Sequence, residues 1–360
     1  MGTIIKISIC IATRNRANII GETLNSIISQ ATEEVEIVVV DGASTDNTKQ
    51  IIQQFKNSFP RLKYIRKDSN GGVDRDYSES VEFAAGEYCW FMSDDDVLKN
   101  GAVQKVLSHI QQGYDLIIVN AENRIYDLSR VLEKRQLKIT EDRIYKPADN
   151  QALFADVAKH VSYIPAVVIK RQVWNARDKE SYYGTGFVHV GVIFQNVLKN
   201  DVLVMSEPLI MARQGNTSWN DKAFEIWMFR WPSLIWSFSN YSDSIKQKVF
   251  PKEPWRKLLL LLVYRGKGLY SEKGYKLLPK TSNGMYKIIA RIIANLPLWI
   301  VKPPLFIYLI IFEPEKRTTL YGLLSNSFLG KWFCAIYFKN RKDEWGGNKC
   351  LTIPDVKSQY

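Results

Sequence analysis

EIVVVDGASTDNT, residues 36–48, decides the reading of the fold. The apolar, β-branched residues 35–40 suit a strand buried on both faces, and Asp41 with Gly42 ends it in a tight turn. Ser44 or Asp46 can then cap a helix that opens at Asp46 and runs to about residue 57. The same grammar extends in both directions. Upstream, an apolar run at 5–12 leads into a helical stretch near 18–29. Downstream, a short strand at 62–66, the turn Asn70-Gly71-Gly72 and another helical stretch lead to a strand at 88–92. This alternation predicts an α/β fold with a doubly wound, mostly parallel sheet. Ligands of such sheets bind beyond the carboxyl ends of the strands, where Thr13, Asp41 and residues 93–96 all emerge.

The chain has 360 residues, and a prior of roughly 150 per domain suggests two domains. With 46% hydrophobic and 24% charged residues it reads as globular, which argues against disorder, collagen-like repeats and a multi-span membrane protein. The net charge of +12 is unevenly placed: residues 251–360 hold 19 Lys+Arg against 7 Asp+Glu, whereas residues 1–250 hold 30 of each. A basic, aromatic-rich last third points to an anionic partner there, a membrane surface or nucleic acid. Cys10, Cys89, Cys334 and Cys350 form no C-x-x-C pair, and no signal-peptide pattern opens the chain, so the expectation is a reduced, cytoplasmic protein.

From Gly113 strand candidates at 115–120, 164–169, 202–205 and 209–213 alternate with helical stretches at 149–160 and 188–198. Beyond Asp221 the signals are almost all helical. The expected domains are therefore 1–220 and 221–360. Residues 288–312 are the most apolar stretch, but Arg291, Lys302, Pro297, Pro303 and Pro304 interrupt them. One or two helices in the headgroup region of a membrane, or a buried helical subdomain or dimer contact, both suit this composition.

Asp94, Asp95 and Asp96 crowd a loop at the mouth of the sheet, where mutual repulsion is costly without a cation. Oxygen ligands select Mg²⁺ or Mn²⁺, which also bridges nucleotide phosphates; the alternative is a solvated turn capping the next helix. Asp41 could accept a ring N–H of a nucleobase, and Thr13, Arg14, Asn15 and Arg16 supply backbone groups and charge for ribose and phosphates. Neither G-x-G-x-x-G nor G-x-x-x-x-G-K-[ST] is present, which argues against a dehydrogenase and a P-loop NTPase.

The strand ending ATRNR, then EIVVVDGASTDNT, NGGVDRD and AAGEYCWFMSDDD resemble the successive motifs of family-two glycosyltransferases with the GT-A fold. YIPAVVIKR, SYYGTGFVHV and MARQGNTSW extend the likeness toward the bacterial abequosyltransferase branch, which adds deoxysugars to lipid-linked O-antigen units. The likeness reaches to about residue 220.

The resemblance implies that Asp41 binds the base, that Thr13, Arg14 and Asn15 neighbour it, and that Asp94 to Asp96 form the D-x-D metal motif, with Asp96 the first choice as direct ligand and Asp94 its companion. Ser93 stands where many relatives carry the first Asp. Asp74, Arg75 and Asp95 match positions near the donor sugar and diphosphate. At the position of the general base stands His189, with Asp156 in reserve; a metal ligand, a diphosphate donor and a structural helix-end histidine are the other readings of His189. Arg213, Asn216 and Trp219 are expected in a lid over the diphosphate and the acceptor. The implied function is an inverting, metal-dependent transfer from a UDP-, CDP-, dTDP- or GDP-sugar to a glycan or lipid-linked glycan, peripheral on the inner face of the cytoplasmic membrane, with no nucleic acid partner and with self-association open. The rivals are a sugar-phosphate nucleotidyltransferase and a non-catalytic membrane-surface module.

Overall fold

The computed structural model describes residues 4–215, 222–280, 284–313 and 315–324. In chain order the first elements are β1 (Ile7–Thr13), α1 (Ile20–Ile28), β2 (Val35–Asp41), α2 (Thr48–Ser58), β3 (Leu62–Arg66), α3 (Val73–Glu82), β4 (Tyr88–Met92), β5 (Val97–Leu98) and α4 (Ala102–Ile110). There follow β6 (Leu116–Arg124), β7 (Val131–Glu133), β8 (Arg143–Tyr145), α5 (Asn150–Val161), β9 (Val167–Lys170), α6 (Arg171–Asn175), α7 (Val188–Phe194) and β10 (Val202–Arg213). The sheet runs β3-β2-β1-β4-β9-β6-β10-β5, with β7 beside β6 and β8 beside β10. Strands β1 to β4 are parallel, and β9 runs antiparallel to β4 and to β6.

Every residue of β1 and β2 is buried, as continuous apolar runs require when helices cover both faces. Ile9, Ile11, Ile37, Val39, Trp90 and Met92 lie in one core with Ile20, Leu24 and Ile27 of α1. Each such side chain contributes about 1.5–3 kcal/mol by leaving water. Register brings Thr13 opposite Asp41, Asp41 opposite Arg66 and Ile11 opposite Met92, so β1, β2 and β4 end along one edge.

Three sequence expectations differ from the structure. Residues 202–213 form one strand rather than two, because its first part pairs β8 and its last part pairs β5, on either side of Pro208. Residues 164–166 form a 3-10 turn around Pro165 before β9 begins. The helix expected over 188–198 stops at Phe194.

Contacts divide the chain into two units, the first Met1–Glu122, Lys134–Ala212 and Ser233–Lys252, the second Asn123–Glu133, Arg213–Pro232 and Glu253–Tyr360. The chain thus passes between units several times, where the sequence suggests a single boundary near 220. The remaining helices are α8 (Ala223–Glu225), continued by a π turn at Ile226–Arg230 into α9 (Trp231–Ser237), then α10 (Asp243–Val249), α11 (Leu258–Gly266), α12 (Glu272–Lys276), α13 (Gly284–Asn295), α14 (Leu298–Phe312) and α15 (Arg317–Leu324). In the second unit Phe224, Trp255, Leu261, Tyr270, Ala290 and Ile293 share one core, and Val301, Leu305, Leu309, Leu320 and Leu323 another. Among the described residues no single helix is long and apolar enough to cross a membrane; α13 and α14 together would be, but a bend of 100° separates them.

Candidate active site

The chain leaving β1 and the chain leaving β2 are latched together. Asn15 takes the left-handed conformation (φ 55°), which Asn tolerates better than most residues. Its backbone N–H donates to Ser44 Oγ at 2.9 Å, and its Oδ1 accepts the Thr45 N–H at 2.7 Å. Arg16 N–H donates to Thr48 Oγ1 at 2.8 Å and Ala17 N–H to Asp46 Oδ2 at 3.1 Å. Asn15 therefore serves the shape of the site through its loop, and its side-chain oxygen is already engaged there. Asp41 is fully buried; its Oδ1 accepts the Ser44 N–H at 2.8 Å and its Oδ2 the Tyr64 hydroxyl at 2.6 Å. Burial and then the Asp41 carboxylate hold the Tyr64 phenol protonated, well above its ordinary value.

The three aspartates after β4 have distinct surroundings. Asp94 lies 3.3 Å from the Arg16 guanidinium, with the Thr13 hydroxyl and the Arg14 backbone N–H also favouring its charged form. Burial outweighs these and, together with the neighbouring Asp95 charge, pushes the Asp94 carboxyl up to about 6. Asp96 is the most enclosed of the three. Its Oδ2 accepts both the Ser93 hydroxyl at 2.5 Å and the Tyr163 hydroxyl at 2.6 Å, while its backbone carbonyl accepts the Thr23 hydroxyl at 2.7 Å. Asp94 and Asp95, only partly buried, are better exposed to an incoming ligand than Asp96, the first choice from sequence.

Gly72 (φ 91°) turns the chain into α3, whose first turn carries Asp74, Arg75 and Asp76. Asp74 faces the protein: its Oδ2 accepts the Gly186 N–H at 2.8 Å and its Oδ1 the Val188 N–H at 3.0 Å, so it holds the start of α7. Asp74, expected from sequence beside the donor, thus bonds the backbone that opens α7. Arg75 is exposed, its guanidinium 4.8 Å from the centre of the Tyr183 ring. Asp76 is buried and paired with Lys67 at 3.1 Å, yet burial raises its pKa. Its Oδ2 would stand 2.7 Å from a Cβ at Gly42, so only glycine fits that turn without displacing the carboxylate.

His189, expected as the base, is buried in α7 with Nε2 2.8 Å from the Val161 carbonyl, so Nε2 carries the proton and donates it. Nδ1 is buried without a hydrogen-bond partner. Burial pushes the imidazole pKa down to about 3, which makes it a feeble proton acceptor at neutral pH. His160 is held similarly against the Val119 carbonyl at 3.0 Å and pushed down to about 4. Asp156, the reserve, accepts the Tyr145 hydroxyl at 2.7 Å with Arg143 at 3.9 Å, both on β8 rather than at the strand ends described above. Arg213 is buried in the second unit, where it donates to the Tyr126 carbonyl and stacks 5.6 Å from that ring. Asn216 and Trp219 lie outside the described residues.

Residues 8–164 match the model of glycosyl transferase family 2. An abequosyltransferase of Salmonella typhimurium is 30% identical over 230 residues, covering 60% of this chain and 69% of that protein. The chain belongs to glycosyl transferase family 2. This glycosyltransferase is also 29% identical over 116 residues to a Campylobacter jejuni GalNAc(5)-diNAcBac-PP-undecaprenol β-1,3-glucosyltransferase, a match covering 32% of this chain and 38% of the relative. Among solved structures, S. aureus TarS 1-349 in complex with UDP-GlcNAc superposes with a TM-score of 0.53 at 17% identity, over 88% of this chain and 90% of that one. A second TarS structure matches with a TM-score of 0.52 at 19% identity, over 76% of this chain but only half of its own. These likenesses establish the GT-A-like α/β fold, and family membership sets aside the nucleotidyltransferase and non-catalytic readings.

In this glycosyltransferase no three or more His, Cys, Asp or Glu side chains gather as a ready metal cage among the described residues. Mg²⁺ is commonly held by one or two carboxylates, with substrate phosphates completing its shell. A half-buried Asp94 crowded by Asp95 fits that role. Tyr64, Asp76 and Tyr163, to which the sequence alone assigns no role, also fix the site, from β3, from the first turn of α3 and from the turn before β9. Asp76 and Tyr163 lie within the motifs NGGVDRD and YIPAVVIKR, but only the tertiary structure shows what they bond.

Proposed function

We propose that this glycosyltransferase moves a sugar from a nucleoside diphosphate sugar to a hydroxyl of a lipid-linked bacterial surface-glycan precursor, with inversion and with a divalent cation, at the inner face of the cytoplasmic membrane. The observation that carries this reading is the convergence at one sheet edge of the buried Asp41 carboxylate and the Asp94–Asp96 loop. The relatives' acceptors and donors point the same way: one is named for an undecaprenol-linked glycan, and a structural neighbour is bound to UDP-GlcNAc.

Asp41, fixed by Ser44 and Tyr64, holds a carboxylate of set orientation where β2 ends, and a ring N–H of the base would add a further hydrogen bond to its remaining lone pairs. Arg14 and Arg75, both exposed, supply guanidinium charge to the diphosphate. Asp94 with Asp95 would hold the cation, which when bound neutralises charge on the departing diphosphate. Asp96, pinned by Ser93 and Tyr163, positions that loop. In the transfer, the acceptor oxygen bonds to the anomeric carbon as the bond to the diphosphate breaks, and the hydroxyl proton passes to a base. His189, buried and with its pKa pushed down to about 3, would be a weak base in that role.

The test is incubation with radiolabelled UDP-, CDP-, dTDP- and GDP-sugars and bacterial membranes carrying diphosphate-linked glycans. Label in the lipid fraction, with equimolar nucleoside diphosphate release from one donor, is expected. Label that stays water-soluble with all four donors would overturn the proposal.

A further inference from the structure

A helix that is apolar all round belongs in an interior or against lipid. α14 is apolar at every position except Lys302, yet it buries only one side. Val301, Leu305 and Leu309 pack inward, while Ile300, Ile307 and Ile311, seven and four residues apart and so on one helix face, are 43%, 56% and 61% exposed beside Trp299 at 67%. α13 repeats the pattern: Ala290, Ile293 and Ala294 are buried, and Met285, Ile288 and Ile292 face out. Two consecutive helices that each show an apolar outer stripe exceed the scattered exposed side chains of an ordinary surface.

Charge around them is mostly positive, although Glu313 ends α14 and pairs with Lys316 at 2.8 Å. Residues 255–312 contain ten Lys and Arg and a single acidic residue, Glu272, which pairs with Arg291 at 3.4 Å. Between 284 and 312 there is no Asp or Glu at all. A second copy of this face would bring like charges together, whereas anionic headgroups would neutralise them. Nucleic acid would satisfy the charge but leave the isoleucines exposed. Pro303 and Pro304 lie inside α14, so the carbonyls of Trp299 and Ile300 lack their usual intrahelical donors. Such carbonyls are satisfied in a hydrated headgroup layer and would be stranded in the hydrocarbon core. The 100° bend and the lack of a spanning helix among the described residues fit the same depth.

We propose that α13 and α14 form an elbow that docks this protein in the headgroup layer of an anionic lipid bilayer, burying Ile288, Ile292, Trp299, Ile307 and Ile311 among the upper acyl chains. The docking is independent of the transfer reaction, because it needs neither donor nor acceptor.

The experiment uses the full chain with vesicles of phosphatidylcholine alone or with ~30% phosphatidylglycerol, a composition that gives the negative surface potential basic segments respond to. Co-sedimentation is measured for the wild type, for Ile288→Ser/Ile292→Ser and for Ile307→Ser/Ile311→Ser. Partition into the anionic vesicles is expected to fall at least about tenfold for each pair, with nucleoside diphosphate binding unchanged. Brominated lipids should quench emission in the wild type and lose that component in Trp299→Phe. No partition of the wild type, or partition that neither pair reduces, would overturn the proposal. So would a wild-type dimer that both pairs turn into monomer, which would give the face to a second copy.

Discussion

At the mouth of the sheet and on α13–α14 the same kinds of residue are used in opposite ways. In the first unit, charged and polar groups are buried and fixed: Asp41, Asp74 and Asp96 each accept two hydrogen bonds from named donors. In the second, apolar residues are exposed and the basic charge around them is nearly unopposed. One region stores its specificity in directed bonds within the protein; the other leaves apolar surface and positive charge for something outside it. Mutation of these fixed groups should therefore cost stability in the first unit, and mutation of the exposed isoleucines almost none in the second.

The largest loss is expected for Asp74→Ala, which leaves the Gly186 and Val188 N–H groups without their acceptor at the start of α7. About 3 kcal/mol should disappear, read as a lower urea midpoint at constant m-value. A loss under about 0.5 kcal/mol would mean that these bonds do not hold the helix. Acid comes next. His189 and His160 have folded pKa values of about 3 and 4, below the ordinary 6.5, so the unfolded chain binds protons first. Their contribution is complete above pH 6.5 and fades as pH falls toward those folded values, by up to about 1.4 kcal/mol per pH unit for each. Asp94 acts in the reverse sense, because its folded value of about 6 lies above the ordinary 3.8, so its ionisation costs stability as pH rises through that window. Chemical denaturation at pH 7, 6 and 5 should show a net decline, and a His189→Gln variant a shallower one.

Asn15→Ala removes the acceptor for Thr45 and puts alanine at φ 55°. A cost of about 1–2 kcal/mol and weaker nucleoside diphosphate binding are expected together. If binding falls while stability does not, Asn15 touches the ligand directly rather than through its loop. The smallest effect belongs to the other region: Ile307→Ser on α14 should stay within about 0.5 kcal/mol of the wild type by thermal melting. A larger loss would show that the exposed face is covered by the chain itself.

The two regions also differ in how far sequence alone reveals them. β2, β3 and β4 are legible because period, β-branching and turn residues agree, and Asp41 and Asp94 to Asp96 are found simply by standing at strand ends. Their partners are not legible. Tyr64 comes to Asp41 from β3 and Tyr163 to Asp96 from a loop 67 residues on, through sheet order that no local pattern encodes. His189 shows the same limit: its position matches that of a base, while its burial against Val161 is a tertiary fact that no local pattern encodes. In α14 the two prolines read as breaks, yet the helix continues through them because its buried stripe packs on either side.

The central claim, that the sheet mouth of the first unit binds a nucleoside diphosphate through Asp41 and a cation through Asp94, is tested most directly by calorimetric titration. UDP, CDP, GDP and dTDP would each be titrated with and without Mn²⁺, at pH 7 and pH 5, into the wild type, Asp41→Asn and Asp94→Asn. The account predicts that one diphosphate binds, that Mn²⁺ strengthens it at pH 7 more than at pH 5, where an Asp94 carboxyl with a value of about 6 is largely protonated, that Asp94→Asn abolishes the Mn²⁺ effect and that Asp41→Asn weakens binding with or without it. Binding of none of the four, or binding indifferent to Mn²⁺ and to both substitutions, would contradict it.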